Sequence, residues 1–218
     1  AVQSANAAKT QFVSVVTHEL RIPMTSIKGY TDLLRTGIVG PVNEQQTQFL
    51  NTIRNNVERM NALISDLADL SRLETGRLKL EITSVSLAEV VGEVARALQP
   101  QLAAKEQTLT LQLPDGLPPV STDSARLGQI LTNLLGNAHR YTPAGGALGV
   151  QAEEDEAFVR VSVTDSGIGI GADDQKKMFT QFFRSEHPAV REQPGWGLGL
   201  SVARLLVERL GGQIGFHS

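Results

Sequence analysis

Apolar side chains at Val13, Val16, Leu20, Pro23, Ile27, Tyr30 and Leu34 recur at alternating steps of three and four, which lines them along one stripe of a helix. Gly37, Gly40 and Pro41 break the rhythm. Asn43 with Gln46 three places later then reads as a capping box opening a second helix. Phe49, Ile53, Asn56, Met60, Leu63, Leu67 and Leu70 carry the same spacing on to about Glu74. Two long helices joined by a short loop form a hairpin that covers only part of its apolar surface. A second copy can bury the rest in a four-helix bundle, and docking of a single hairpin on the rest of the chain can do so too; the spacing is compatible with both.

After Thr75 and Gly76 the pattern changes, which divides the chain into residues 1–75 and 76–218. Ser86 with Glu89 predicts another helix start, running to about Ala104, and Leu109, Leu111 and Leu113 alternate as in a half-buried strand. Asp123 opens a helix to about Tyr141. Residues 146–152 and 157–164 read as a strand hairpin around the acidic turn 153–156. Residues 184–199, rich in glycine, proline and charge, read as a mobile loop before a last helix from about Leu200 to Leu210. The fold expected is α+β, a helical hairpin followed by a helix-on-sheet sandwich.

Composition removes several alternatives. The 218 residues carry 23 acidic and 20 basic side chains, a formal charge of −3, with no basic stripe suited to a nucleic-acid backbone. Cysteine is absent, so there is no disulfide framework and no thiolate metal site, which is compatible with a cytoplasmic location. No apolar run approaches the roughly 20 residues that cross a bilayer, so direct membrane insertion is not expected. The chain opens directly in the helix-like AVQSANAAKTQF, which predicts a sensor domain or anchor upstream.

Four segments carry candidate chemistry. In FVSVVTHELRIP, His18 lies about 200° round the helix from both Val16 and Leu20 and so faces water, with the Glu19 carboxylate next to it. An exposed imidazole with one nitrogen held by a carboxylate and the other free suits a phosphoryl acceptor. Pro23 removes a backbone donor one turn further on and is expected to kink the helix. In LTNLLGNAHRYT, Asn133 and Asn137 share a helix face and are followed by Arg140 and Tyr141; amide oxygens can ligate Mg²⁺ and a cation can meet phosphate. Asp165-Ser166-Gly167-Ile168-Gly169 follows the second strand of the hairpin, and Gly195-Trp196-Gly197-Leu198-Gly199-Leu200 leads into the last helix. Such glycines let backbone approach a ligand closely, and a helix start favours phosphate. Neither segment has the strand-to-helix setting of a dinucleotide fingerprint or the Lys-Ser/Thr ending of a P-loop.

In order and spacing these segments resemble the H, N, G1 and G2 boxes of sensor histidine kinases, and FTQFFRSE, with Phe179, Phe182, Phe183 and Arg184, resembles the family's F box. The resemblance spans essentially the whole chain. It implies a dimerisation and histidine-phosphotransfer hairpin, homodimeric as a four-helix bundle, followed by a Bergerat-type (GHKL) ATP-binding domain. It further implies His18 as phosphoacceptor, Glu19 as general base or orienting carboxylate, and Asn137 as ligand of Mg²⁺. Asp165 would read adenine, with Gly167 and Gly169 shaping that pocket. Asn133, Arg140 and Tyr141 would lie around phosphates and base, Gly195, Gly197, Leu198, Gly199 and Leu200 would form the lid, and Arg184 would meet the γ-phosphate. The implied partner is the receiver domain of a response regulator, which takes the phosphoryl group on an aspartate.

Two departures from the family pattern carry expectations of their own. The chain ends at Ser218 soon after Gly211-Gly212, where the family's sheet usually continues with a hairpin, so the ATP-binding domain is expected to be cut short. Ile22 stands where many relatives carry Thr or Asn to orient a hydrolytic water, which predicts weak or absent phosphatase activity.

Overall fold

The computed structural model describes residues 2–155 and 157–218. The chain forms two compact units, one up to Leu78 and the other Lys79–Ser218.

The first unit is a hairpin of α1 (Val2–Arg35) and α2 (Glu44–Glu74). The capping box forms: Asn43 Oδ1 accepts from the Gln46 amide and Gln46 Oε1 from the Asn43 amide, both at 2.8 Å. Gly76, at φ +67°, closes α2 with the paired bonds from Gly76 N to Leu73 O and Arg77 N to Arg72 O, a left-handed cap suited to glycine. Helix α1 runs on through Pro23, whose missing N–H leaves the Glu19 carbonyl without its helical donor.

The seam between the two helices is not the stripe that the apolar spacing marks. It is built by Thr17, Met24 and Thr31 of α1 and Leu50, Val57 and Ile64 of α2, two sets spaced by seven. The threonines escape a hydrophobicity reading, yet Thr31 turns its hydroxyl onto the Ile27 carbonyl at 2.7 Å, so its polar group is satisfied within the helix. Most of the marked stripe stays in solvent: Leu20, Ile27, Tyr30, Leu34, Phe49, Ile53 and Met60 are each 40 to 70% exposed. It turns inward at its two ends, with Val13 and Val16 half-buried near the start of the stripe and, toward the end of α2, Leu63 and Leu67 half-buried and Leu70 buried.

The second unit pairs β1 (Thr83–Val85) with β3 (Val120–Thr122) and builds a separate three-stranded sheet from β2 (Thr108–Gln112), β4 (Ala147–Asp155) and β5 (Phe158–Asp165). Strand β4 is central, parallel to β2 and antiparallel to β5, with Val150 opposite Leu111 on one side and Val163 on the other. Helices α3 (Leu87–Ala104) and α4 (Ser124–Tyr141) start on side-chain caps from Ser86 and Asp123. Asp123 also accepts from the Glu81 amide, joining the start of the unit to the start of α4. Burial disfavours its charge, but the amides of Glu81, Arg126 and Ala125 and the nearby Arg126 charge outweigh this and hold its carboxyl below the usual range.

Leu148, Val150 and Ala152 alternate on the covered face of β4 and join Val91, Leu98 and Leu102 of α3 and Leu131, Leu135 and Ala138 of α4 in one core. Helix α4 also packs on α7 (Gly199–Arg209), where Val202, Ala203 and Leu206 are fully buried. The short helices α5 (Ala172–Gln175) and α6 (Pro188–Arg191) lie in the connection between β5 and α7.

Candidate active site

His18 is 72% exposed on α1, and its Nδ1 lies 3.2 Å from Glu19 Oε1. An ionised carboxylate can only accept, so Nδ1 carries the hydrogen and the lone pair is left on Nε2, the nitrogen remote from the backbone. Ile22, one turn further along, is 55% exposed.

In the second unit α4 is the spine to which both glycine segments attach. Near its middle, Asn133 Nδ2 donates to the Gly199 carbonyl at 3.2 Å, and a Cβ on Gly199 would lie 3.1 Å from Asn133 Oδ1. One turn on, Asn137 shares this face and its amide makes no hydrogen bond among the described residues. Further on, Arg140 Nη1 lies 3.3 Å from where a Cβ of Gly195 would sit. At the C-terminus the Tyr141 carbonyl accepts from the Ile168 amide at 3.3 Å.

Gly167 is required by close approach: a Cβ would come within 2.6 Å of Asp165 Oδ1 and 2.7 Å of the Tyr141 carbonyl. Asp165 turns Oδ1 onto the Gly167 amide at 2.9 Å. Gly169 adopts φ +68°.

The last turn of α4 is held by groups that motif reading passes over. Lys105 Nζ donates to the carbonyls of His139, Arg140 and Thr142 at 3.0, 3.1 and 3.3 Å. Buried Gln107 donates Nε2 to the Thr142 carbonyl at 2.7 Å and accepts on Oε1 from His139 Nδ1 at 2.6 Å. Burial, then the charges of Lys105 and Arg140, hold the His139 imidazole below its ordinary pKa and keep it neutral. A cation at a helix C-terminus also meets the negative end of the dipole. Local sequence gives no sign of this network, because it joins residues more than 30 places apart.

The F-box and lid segments interlock. Phe182 adopts φ +61°, a left-handed conformation uncommon outside glycine, and donates its amide to the Gly197 carbonyl at 2.9 Å. Gly197, at φ +70°, faces the Phe183 carbonyl so closely that a Cβ would lie 2.4 Å away. Leu198 is buried, Leu200 half-buried, and Trp196 is 56% exposed. Arg184 spends its guanidinium on backbone: Nη1 donates to the Gly195 carbonyl at 2.9 Å, and Nη2 to those of Val190, at 2.6 Å, and Gln193. The structure thus gathers Asn133, Arg140, Tyr141, Asp165, Gly167, Gly195 and Gly199 around α4, while His18 and Glu19 stand on the other unit.

Family comparisons place both units. Residues 8–76 match the His Kinase A (phospho-acceptor) domain, and residues 122–218 match the histidine kinase-, DNA gyrase B-, and HSP90-like ATPase. The chain belongs to the sensor histidine kinases. Among similar proteins, the circadian input-output histidine kinase CikA of Synechococcus elongatus is 36% identical over 99% of this kinase chain. The aligned stretch is 29% of that relative's length, and between 24 and 41% across the similar proteins, so the present chain spans less than half of such relatives. Among solved structures, full-length ShkA in complex with AMPPNP matches with a TM-score of 0.75 at 25% identity, covering 92% of this chain and 41% of that one. Histidine kinase ThkA in complex with the response regulator protein TrrA matches with a TM-score of 0.58 at 25% identity, covering 93% of this chain and 55% of that one. Among the described residues of this kinase chain, no helix is long and apolar enough to cross a membrane.

Proposed function

We propose that the chain phosphorylates its own His18 from ATP and passes the phosphoryl group to an aspartate on a response-regulator receiver domain. The observation that carries the first step is the His18–Glu19 contact. It leaves Nε2 as an exposed nucleophile and gives the Nδ1 proton somewhere to go. Attack of the Nε2 lone pair on the γ-phosphorus forms the N–P bond as the bond to the β-phosphate oxygen breaks, releasing ADP. The ring becomes cationic, and Glu19 stabilises it or takes its Nδ1 proton. ATP as donor is supported by the ATPase-type family match and by the AMPPNP complex of ShkA, and a receiver domain as acceptor by the ThkA–TrrA complex.

In the second unit the free Oδ2 of Asp165 is suited to the adenine amino group, with Gly167 and Gly169 leaving room for the ring. Arg140 is suited to the phosphates beside the backbone of Gly195, Gly197 and Gly199, and Leu198 and Leu200 anchor this lid segment. Tyr141 borders the base. The Asn133/Asn137 face fits Mg²⁺, because its amide oxygens are hard ligands of the kind that ion takes. Asn137 would hold the ion, which when bound neutralises charge on the phosphates. The domain division is proposed at residues 1–75 and 76–218, as the change of pattern indicates.

The exposed apolar stripe of the hairpin supports a homodimer through this unit, in line with the phospho-acceptor family match. Ile22 offers no hydrogen-bonding group one turn from His18, which supports weak or absent phosphatase activity. Incubation with γ-labelled ATP tests the reading. Acid-labile, base-stable label on the protein is expected; free phosphate alone would make the chain an ATPase, and neither would make it a nucleotide-binding scaffold.

A further inference from the structure

Arg184 is the one cationic side chain of the F-box segment whose charge is committed to main chain. Its two terminal nitrogens donate to the carbonyls of Val190, Gln193 and Gly195, and so reach across α6 to the first glycine of the lid segment. Nη2 meets Val190 and Gln193 while Nη1 meets Gly195, a spread over two nitrogens fixed by the planar guanidinium fork that one ammonium centre does not reproduce in the same geometry. Two residues earlier the same strand of chain is tied again, through the left-handed Phe182 and its bond to Gly197. Gly195 in turn lies against Arg140 of α4. The path from Arg184 to the proposed phosphate-binding groups therefore runs through the shape of the loop.

We propose that Arg184 is a positioning residue that, before nucleotide arrives, staples the 190–197 loop into the shape in which Gly195 and Gly197 meet it. The proposal rests on the nucleotide-binding reading above and adds a role for Arg184 to it. A γ-phosphate contact would favour ATP over ADP and would survive in part when the positive charge is kept. A staple acts before any nucleotide arrives, serves ADP and ATP alike, and fails when the fork is lost even if the charge remains.

The test compares the natural chain with Arg184→Lys and Arg184→Gln, in two readouts. Amide hydrogen exchange is followed first without nucleotide. Both variants are expected to speed exchange across 190–197 by roughly tenfold or more, as a loop loses its internal bonds, while α4 and β4 keep their protection. Affinities for ADP and for AMPPNP are then measured, and both should fall by a similar factor in both variants. Unchanged exchange, or a loss confined to AMPPNP and rescued by lysine, would overturn the proposal. Should the natural chain bind neither nucleotide, the broader functional reading fails, and the exchange arm still decides whether Arg184 holds the loop.

Discussion

The two units bury their apolar residues by different means. The second encloses its core within one chain: Val91, Leu135, Val202 and Leu206 have no exposed surface, and the covered face of β4 is filled from α3 and α4. The hairpin fills one seam and leaves a second stripe, from Leu20 to Leu34 and from Phe49 to Met60, in solvent. A contiguous apolar stripe of that length on a helix pair is the mark of a surface awaiting a partner. One unit buries its core within itself, and the other leaves an apolar stripe uncovered, with His18 outside its internal seam.

Breaking the core of the second unit should have the largest effect on stability. Leu135→Ala removes a side chain with no exposure and should cost about 2–5 kcal/mol. Trp196, the single tryptophan, lies in this unit, so urea unfolding followed by its emission should show the loss, at any protein concentration. Ile53→Asp, on the hairpin's exposed stripe, should leave that transition in place. It should instead weaken self-association by about tenfold or more, from a charge buried at a dimer seam, read by sedimentation equilibrium. If Ile53→Asp left the association state unchanged, the contrast between the units would be lost.

A smaller effect is expected at Asp66 of α2. Burial, then the neighbouring Asp69 charge, push its carboxyl up to about 6 from 3.8. Between those values the folded hairpin keeps a proton that the unfolded chain has released, so stability falls as pH rises across the window and stays lower above it. Asp66→Asn should recover about 1 kcal/mol at neutral pH, the full shift being reduced by partial exposure to solvent. Helical circular dichroism on melting at pH 4.5 and 7.5 reports it, and an unaltered pH dependence in the variant would contradict the assignment. The smallest change is expected for Ile22→Thr: a modest gain in dephosphorylation of the phosphorylated regulator, with self-labelling preserved. Rapid dephosphorylation by the natural chain, with no improvement in the variant, would count against the role assigned to Ile22.

Most helices were legible because their limits are written locally: Asn43 with Gln46, Gly76, Ser86 and Asp123 each act within a few residues of themselves. The family's motifs were legible for the same reason. The hairpin's internal seam was not, since two threonines, of which Thr31 bonds its own helix carbonyl, take core positions while stronger hydrophobes stay outside. Strands β1 and β3 are three residues each, too short for alternation to register, and they pair across 34 residues or more of intervening chain. The Lys105–Gln107–His139 network and the Arg184 staple depend on backbone carbonyls, which carry no residue signature. The bonds of Arg184 to the Val190, Gln193 and Gly195 carbonyls are likewise unmarked by its motif.

The account stands or falls on which atom becomes phosphorylated. After incubation with MgATP, phosphorus NMR of the denatured protein, paired with mass spectrometry of the peptide containing residue 18, locates the phosphoryl group. The geometry predicts a single phosphohistidine at His18, bonded through Nε2 because Glu19 holds Nδ1, and no such signal in His18→Gln. A phosphoryl group on Nδ1, on another residue, or undiminished in His18→Gln would contradict it.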